Sequence, residues 1–314
     1  MNIKSQEENV IAQLKEYGVS SEQAKLIADC FITADSFGVA THGTAVLPSH
    51  IERIKRGGYN LAPNFKVVRE TSAFAVIDGD NAMGPVSASY CIKYAIEQGR
   101  KSGMFTVFSY NNNTFGPAFY YPYLASKEGM IGIACSNSPA QMAPIGGKEK
   151  MLGTNPFSIV VPNGDEPIIL DMATSVVAKS KFKEYKQQNK SLPNGWALDE
   201  NGDPTTDPDK AMNGLILPMA GFKGYGIAMM IDILAGVLSG ASYLNNVGRF
   251  YAETNNCMNV GFQFTVIDPK QVLGDNYGEV IKDFVETLRN SKPVDGGKII
   301  LPGDDRLQFR KGNK

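Results

Sequence analysis

A chain of 314 residues with 43% hydrophobic content has room for an extensive core and, at roughly 150 residues per domain, for about two domains with a cleft between them. Its 31 Lys and Arg balance 32 Asp and Glu, so no basic field marks a nucleic-acid binder and small molecules are the expected partners. The charged N-terminal stretch lacks the apolar run of a signal peptide. The longest apolar segment, Gly226 to Ala241, carries Asp232 and is too short to span a bilayer, and Cys30, Cys91, Cys135 and Cys257 form no CxxC pair, so a cytoplasmic protein with no membrane segment is expected.

In chain order, Val10, Leu14 and Tyr17 mark a first helix. Ser20 to Gln23 form a capping box for a second, in which Ala24, Ile27, Ala28 and Phe31 recur at helical spacing. The first sixty residues are therefore expected to be mostly helical. From Ala73 to Ile77 the pattern turns to a short strand, followed by a Gly/Asp/Asn turn and a helix opened by Pro85. Further strands are expected at Phe105 to Phe108, Ile131 to Cys135, Phe157 to Val161 and Ile168 to Leu170, giving a mixed sheet with helices around it. Residues 183 to 214 are polar and turn-rich and read as an excursion over the surface or a cleft. The apolar segment then reads as a core helix, a strand ends at Asp268-Pro269, and Tyr277, Ile281, Phe284 and Leu288 mark a last helix.

Absent motifs narrow the chemistry. His42 and His50 are the only histidines and cannot form an HExxH site, and neither GxGxxG after a strand nor GxxxxGK[ST] occurs. A nucleotide must be held by another device, and the lack of GxSxG weakens a hydrolase reading.

The stretches ADSFGVATHG (34–43), NNNTFG (111–116), SNSPAQMAPIGG (136–147), GTNPFS (153–158), DMATS (171–175), LPNGWALDENGDPTTDP (192–208), LPMAGFKGYG (217–226), IDP (267–269) and LPGD (301–304) follow one another along the chain. Read together, they resemble the malate/L-lactate dehydrogenase family that lacks the Rossmann fold and includes ureidoglycolate dehydrogenase, diketogulonate reductase, sulfolactate dehydrogenase and piperideine-carboxylate reductase. Each is weak singly; in this order and spacing they are highly specific, and the similarity runs nearly end to end.

The resemblance implies a non-Rossmann α/β fold with a mixed sheet, a helical and dimer-forming domain from residues 1–70 and 270–314, and a cofactor and substrate region over 71–269. It implies NAD or NADP as cofactor and a homodimer. By carry-over, Asp171, Met172, Ala173 and Thr174 of DMATS and the Lys223-Gly224 step contact the dinucleotide, with Gly303 and Asp304 near it. The residues themselves are compatible, since Gly221 to Gly226 offers close backbone approach, a lysine and a helix start suited to phosphates. The same glycines also suit tight helix packing alone.

Reduction of a carbonyl by a nicotinamide needs a proton donor, and histidine is matched to neutral pH. His42 stands in THG, where the family has SHG and some members use the histidine as a catalytic acid; a buried helix-end histidine is the plainer alternative. Three family positions differ. The arginine that would clamp a carboxylate is Val46, a histidine is Thr114, and a histidine before the last strand corresponds to Phe262. His50 and Arg53 could re-anchor an acid from another direction or be ordinary exposed helix residues, and Ser138, Asn137 and Tyr120 are further pocket donors. The expected activity is hydride transfer between a nicotinamide and a small 2-oxo or 2-hydroxy acid or a related cyclic imine, with a pocket remade from that of malate and lactate enzymes. A catalytically silent metabolite-binding or regulatory relative is the alternative.

Overall fold

The computed structural model describes residues 3–312. Helices α1 (Ile3–Glu16), α2 (Ser21–Ser36) and α3 (Leu47–Lys55) open the chain, separated by two short 3-10 turns, Ala40–His42 and Thr44–Val46. The capping box forms as read: the Ser20 side chain accepts the Gln23 N–H at 3.3 Å. Then come β1 (Lys66–Glu70), β2 (Phe74–Asp78), α4 (Gly84–Ser102), β3 (Met104–Asn112), α5 (Tyr120–Lys127), β4 (Ile131–Ser136), β5 (Phe157–Val161) and β6 (Ile168–Met172). After them follow α6 (Ser180–Gln187), β7 (Ala197–Leu198), β8 (Pro204–Thr205), α7 (Pro208–Asn213), β9 (Leu215–Ile216) and α8 (Phe222–Ile231), which continues as a π-helical turn over Asp232–Val237. The chain closes with β10 (Val260–Ile267), α9 (Pro269–Leu273), α10 (Tyr277–Arg289) and α11 (Asp304–Gly312).

Seven strands form one sheet in the order β1-β2-β3-β10-β4-β5-β6. Only β2 and β3, joined through α4, run parallel; every other pairing is antiparallel. A Rossmann sheet is built from parallel strands, so this is a mixed α/β sheet of another kind. The late strand β10 lies between β3 and β4, and its almost continuous burial fits a strand covered on both faces. One large core joins α2, α4 and α5 to the sheet through Phe31, Ile92, Phe105, Tyr121 and Phe264.

Several expectations change. Strand β1 was not foreseen because KVVRE is exposed along its whole length and carries no burial alternation. The 183–214 excursion is more than polar surface: β7, β8 and β9 form a second small sheet, and Phe182, Leu192 and Ala197 share a core with Met142 and Leu152. The segment read as a core helix buries only one face, with Ala228, Ile231, Asp232, Ala235 and Gly236 inside. Phe222, Ile227, Met230, Leu234, Val237 and Leu238 remain exposed, an apolar stripe that hydropathy cannot separate from a fully covered helix. Helix α10 is not the last; α11 follows, and its DDRLQFRKG sequence has the charge of a solvated segment.

Candidate active site

His42 ends the first 3-10 turn after α2. The turn is shaped by Asp35, whose carboxylate accepts the Thr44 N–H at 3.0 Å and the Thr44 hydroxyl at 2.6 Å. Glycine at 43 leaves room for the Asp35 carboxylate, which a Cβ there would displace. The His42 ring places Nδ1 3.0 Å from the Thr41 hydroxyl, leaving Nε2 for other work. His42 keeps substantial solvent exposure, yet desolvation is the largest influence on its titration. That desolvation, reinforced by Arg306, lowers its pKa from the ordinary value, while the Asp171 carboxylate pulls the other way.

Asp171 sits near the end of β6, paired opposite Ser158. Arg306 of α11 reaches it with Nη1 2.7 Å from Oδ2, and Arg306 Nη2 donates to the Asp171 carbonyl at 3.2 Å. The guanidinium also lies 5.1 Å above the centre of the Phe119 ring. Burial raises the Asp171 pKa; Arg306 and, more weakly, His42 oppose that rise. His42, Asp171 and Arg306 thus form one electrostatic unit drawn from the start, middle and end of the chain. The Pro302 carbonyl accepts the Ile169 N–H at 3.0 Å, and Gly303, at φ +92°, lies where a Cβ would come 2.8 Å from the Ile169 Cβ. That close splice onto β6 delivers Arg306 to Asp171. Sequence reading missed Arg306, although it lies just beyond the LPGD motif.

Met172 and Ala173 are half-buried beside Asp171, whereas Thr174 is fully buried and its hydroxyl donates to the Thr154 carbonyl at 3.0 Å. Lys223 is exposed in the first turn of α8, whose N-terminus has no side-chain cap and follows Ala220 and Gly221 at φ +48° and +60°. A Cβ at Gly224 would strike the Met219 carbonyl, so this glycine is required for packing; at Gly221 the space is open. Asp304 is held by Arg289 through two bonds of 2.8 and 2.6 Å, which depresses its pKa. An uncapped helix start with an exposed lysine, open backbone at Gly221 and half-buried Met172 and Ala173 fit an anionic dinucleotide.

The other expected pocket residues divide. Val46 ends the second 3-10 turn, half-buried against the main core, and Thr114 is half-buried just beyond β3. Ser138 is half-buried, and its N–H donates to Asn155 Oδ1 at 3.0 Å. Asn137 is buried with its amide engaged by Asp232, the Ser242 carbonyl and the Gly261 N–H. Tyr120 is buried and donates to Asp29 at 2.5 Å.

His50 and Arg53 are not exposed helix residues. His50 is 2% exposed, with Nδ1 2.8 Å from the Tyr59 hydroxyl and Phe31 and Phe250 against its ring; burial, then Arg53, pushes its pKa down to about 3. Arg53 is wholly buried, donates to the Phe250, Glu253 and Asn256 carbonyls and to Asn113 Oδ1, and stacks on Tyr59 and Phe250. With those donors occupied, the pair fastens the 250–256 loop to α3 and offers no clamp to an acid. Phe262 likewise belongs to the core, stacked on Phe115 with ring centres 4.9 Å apart.

The model of the malate/L-lactate dehydrogenase family matches residues 1–314. The chain is 38% identical to L-sulfolactate dehydrogenase of Methanocaldococcus jannaschii over 94% of its length and 86% of that protein's. The solved structure of sulfolactate dehydrogenase from that organism superposes with a TM-score of 0.94 at 36% identity, covering 99% of this chain and 90% of that one. Ureidoglycolate dehydrogenase (NAD(+)) of Escherichia coli K12 is 34% identical over 94% of this chain and 84% of its own length. (2R)-3-sulfolactate dehydrogenase (NADP(+)) of Chromohalobacter salexigens is 29% identical over 99% and 92%.

Proposed function

We propose, for a chain that belongs to the malate/L-lactate dehydrogenase family, that His42 handles the proton when hydride passes to or from a small 2-oxo or 2-hydroxy acid or a related cyclic imine. The protein is an oxidoreductase acting on CH–OH groups with NAD or NADP as cofactor. The observation that carries the proposal is a solvent-reachable but desolvated histidine joined electrostatically to an Asp171–Arg306 ion pair.

A bound dinucleotide supplies the hydride donor or acceptor. His42, with Nδ1 turned to Thr41, presents Nε2 to the reacting oxygen and gives or takes its proton there. Asp171 stabilises the imidazolium that forms when His42 accepts a proton, and Arg306 holds the carboxylate in place. The lowered His42 pKa keeps the ring neutral near pH 7, the form that accepts a proton from an alcohol. Lys223 and the start of α8, with Met172 and Ala173, hold the cofactor.

Val46 and Thr114 cannot supply the bidentate cation that a dicarboxylate calls for, so the substrate is less carboxylate-rich or more apolar than malate. A protonated cyclic imine already carries its proton and demands less of a dedicated acid. Residues 1–70 with 270–314 act as a helical unit, apart from β1 at 66–70, which joins the sheet, and 71–269 act as the cofactor and substrate region. A homodimer buries the apolar stripe on α8 and its π-helical continuation and the open face of α10 formed by Val280, Phe284 and Leu288. The four unpaired thiols, three of them buried, suit a reducing cytoplasm. Among the described residues, no helix is long and apolar enough to cross a membrane.

The test is a fluorescence titration with NADH and NADPH, with Lys223→Ala as control, followed by a panel of 2-oxo acids and cyclic imines. Saturable binding weakened by Lys223→Ala, and turnover of a panel member that His42→Ala abolishes, supports the proposal; binding of neither nucleotide overturns it.

A further inference from the structure

We propose that Asn155 is a positioning residue for the dinucleotide, joining α8 to the DMATS segment so that the two halves of the cofactor site keep one spacing. This rests on the reading of DMATS and the start of α8 as dinucleotide contacts and adds to it the residue that sets their separation.

Asn155 lies just before β5 and is wholly buried. Its Oδ1 accepts the Ser138 N–H at 3.0 Å, its own N–H donates to the Ser138 hydroxyl at 3.3 Å, and its Nδ2 donates to the Ala228 carbonyl of α8 at 2.9 Å. The Thr174 hydroxyl, from DMATS, reaches the Asn155 carbonyl at 3.4 Å and the Thr154 carbonyl at 3.0 Å. One residue thus bonds to the turn after β4, to DMATS and to the middle of α8, three segments far apart in the sequence.

The bonds close a circuit. At the other end of α8, the Gly224 N–H donates to the Met219 carbonyl at 3.0 Å and the Met219 N–H to the Thr174 carbonyl at 2.9 Å. Thr174 therefore touches both Asn155 and the segment that leads into Lys223, and α8 is tied to DMATS at its start and at its middle. One turn beyond Ala228, Asp232 is gripped as well: Asn137 Nδ2 donates to Oδ1 at 3.0 Å and the Leu244 N–H to Oδ2 at 2.8 Å. The helix is left no room to swing about its first turn.

The backbone at Asn155 points the same way. Its φ of +26° lies in the left-handed region, which asparagine tolerates better than most residues with a side chain, and such a conformation persists only where the surroundings over-determine it. Gly153 permits the approach, since a Cβ there would come 2.1 Å from the Ser138 carbonyl oxygen and 2.5 Å from Asn155 Oδ1. The attraction of a helix start for phosphate fades within one turn, and binding groups must be held to within about 0.5 Å, so a tilt of α8 against DMATS weakens the ligand even with every contact residue present.

The experiment is a fluorescence titration of the full-length protein with NADH and NADPH in a double-mutant cycle that combines Lys223→Ala with Asn155→Gly and with Asn155→Asp. Asn155→Gly keeps the positive φ and removes the side-chain bonds; Asn155→Asp keeps the acceptor for the Ser138 N–H and loses the donor to Ala228. Lys223→Ala should weaken the better-bound nucleotide about tenfold in the wild type and less than about twofold in either Asn155 background, because Lys223 is by then misplaced. A merely structural loss adds instead, and His50→Gln, a buried substitution among Tyr59, Phe31 and Phe250, should leave the tenfold effect of Lys223→Ala intact. Additive losses in the Asn155 variants, with wild-type binding intact, overturn this role alone. Should neither Asn155 variant fold, amide hydrogen exchange of the wild type decides: saturation with nucleotide should slow Ser138, Thr174 and Met219 together with α8, and slowing confined to α8 overturns the role. A wild type that binds neither nucleotide overturns the dinucleotide reading and this role with it.

Discussion

Arg306 Nη1 stands 2.7 Å from Asp171 Oδ2, so α11 closes onto the end of β6 at the point where Asp171 acts on His42. Both side chains are largely buried, at 19% and 12% exposure, so removing either would leave the other's charge without its partner in the interior. Arg306→Met should therefore destabilise the fold by about 1–3 kcal/mol, read as a lower urea midpoint, and Arg306→Lys should recover only part because ammonium lacks the planar fork. An unchanged midpoint in Arg306→Met would show that the ion pair contributes nothing.

The same unit sets a pH dependence whose direction can be worked out. Oxidation of an alcohol needs neutral His42, so its rate rises with pH through the His42 pKa, which lies below the ordinary histidine value; reduction needs the imidazolium and falls over the same range. Asp171→Asn removes the influence that raises this pKa. The limb should move to lower pH in both directions of reaction, and reduction at pH 7 should lose more than oxidation. The check is kcat/KM against pH for both directions, and an unmoved limb would separate Asp171 from His42.

His42→Ala should reduce turnover by about 10²-fold or more while leaving dinucleotide affinity within a factor of about two, since the cofactor groups lie on DMATS and α8. Fluorescence titration beside steady-state kinetics decides it. Equal losses in both would place His42 among the binding groups.

His50 carries a stability signature. Its pKa falls from the ordinary 6.5 to about 3 in the fold, so the unfolded chain binds the extra proton as pH drops below 6.5. Its contribution is fully present above that pH and is lost progressively towards about 3, amounting to roughly a few kcal/mol at the acid end. Urea midpoints at pH 7.5, 5.5 and 4.5 should fall in the wild type and fall less steeply in His50→Gln, even though that variant starts lower. Parallel slopes would rule His50 out as the source.

Met230 and Leu234 lie on the exposed stripe of α8 and its π-helical continuation. Met230→Glu with Leu234→Glu should convert a dimer to a monomer in sedimentation velocity without lowering far-UV helicity, because neither side chain is in the core of this chain. A wild-type protein that sediments as a monomer would remove the proposed interface.

Much of the strand pattern could be read from the sequence because short apolar runs between turns sample a buried sheet directly, as at Phe157–Val161 and Ile131–Cys135. Strand β1 could not, since an edge strand exposed on every residue has no hydrophobic period to reveal it. The family motifs marked His42, Asp171 and Lys223 individually. They gave no sign of Arg306, whose helix has the charge of a solvated surface.

His50 and Arg53 show the other limit. One turn apart on an amphipathic helix, they carry polar side chains that suggested exposure or a ligand, and only the fold brings Tyr59, Phe250 and the 250–256 carbonyls around them. The family, the mixed α/β class and the residue type that can move a proton were legible from local pattern and side-chain chemistry. Tertiary structure alone decided which charges face one another, which histidine is reachable and which apolar face stays open. Those properties depend on groups up to hundreds of residues apart, such as Asn113 and Asn256 on Arg53 or Arg306 on Asp171, meeting in a medium where burial and Coulomb forces outweigh propensity.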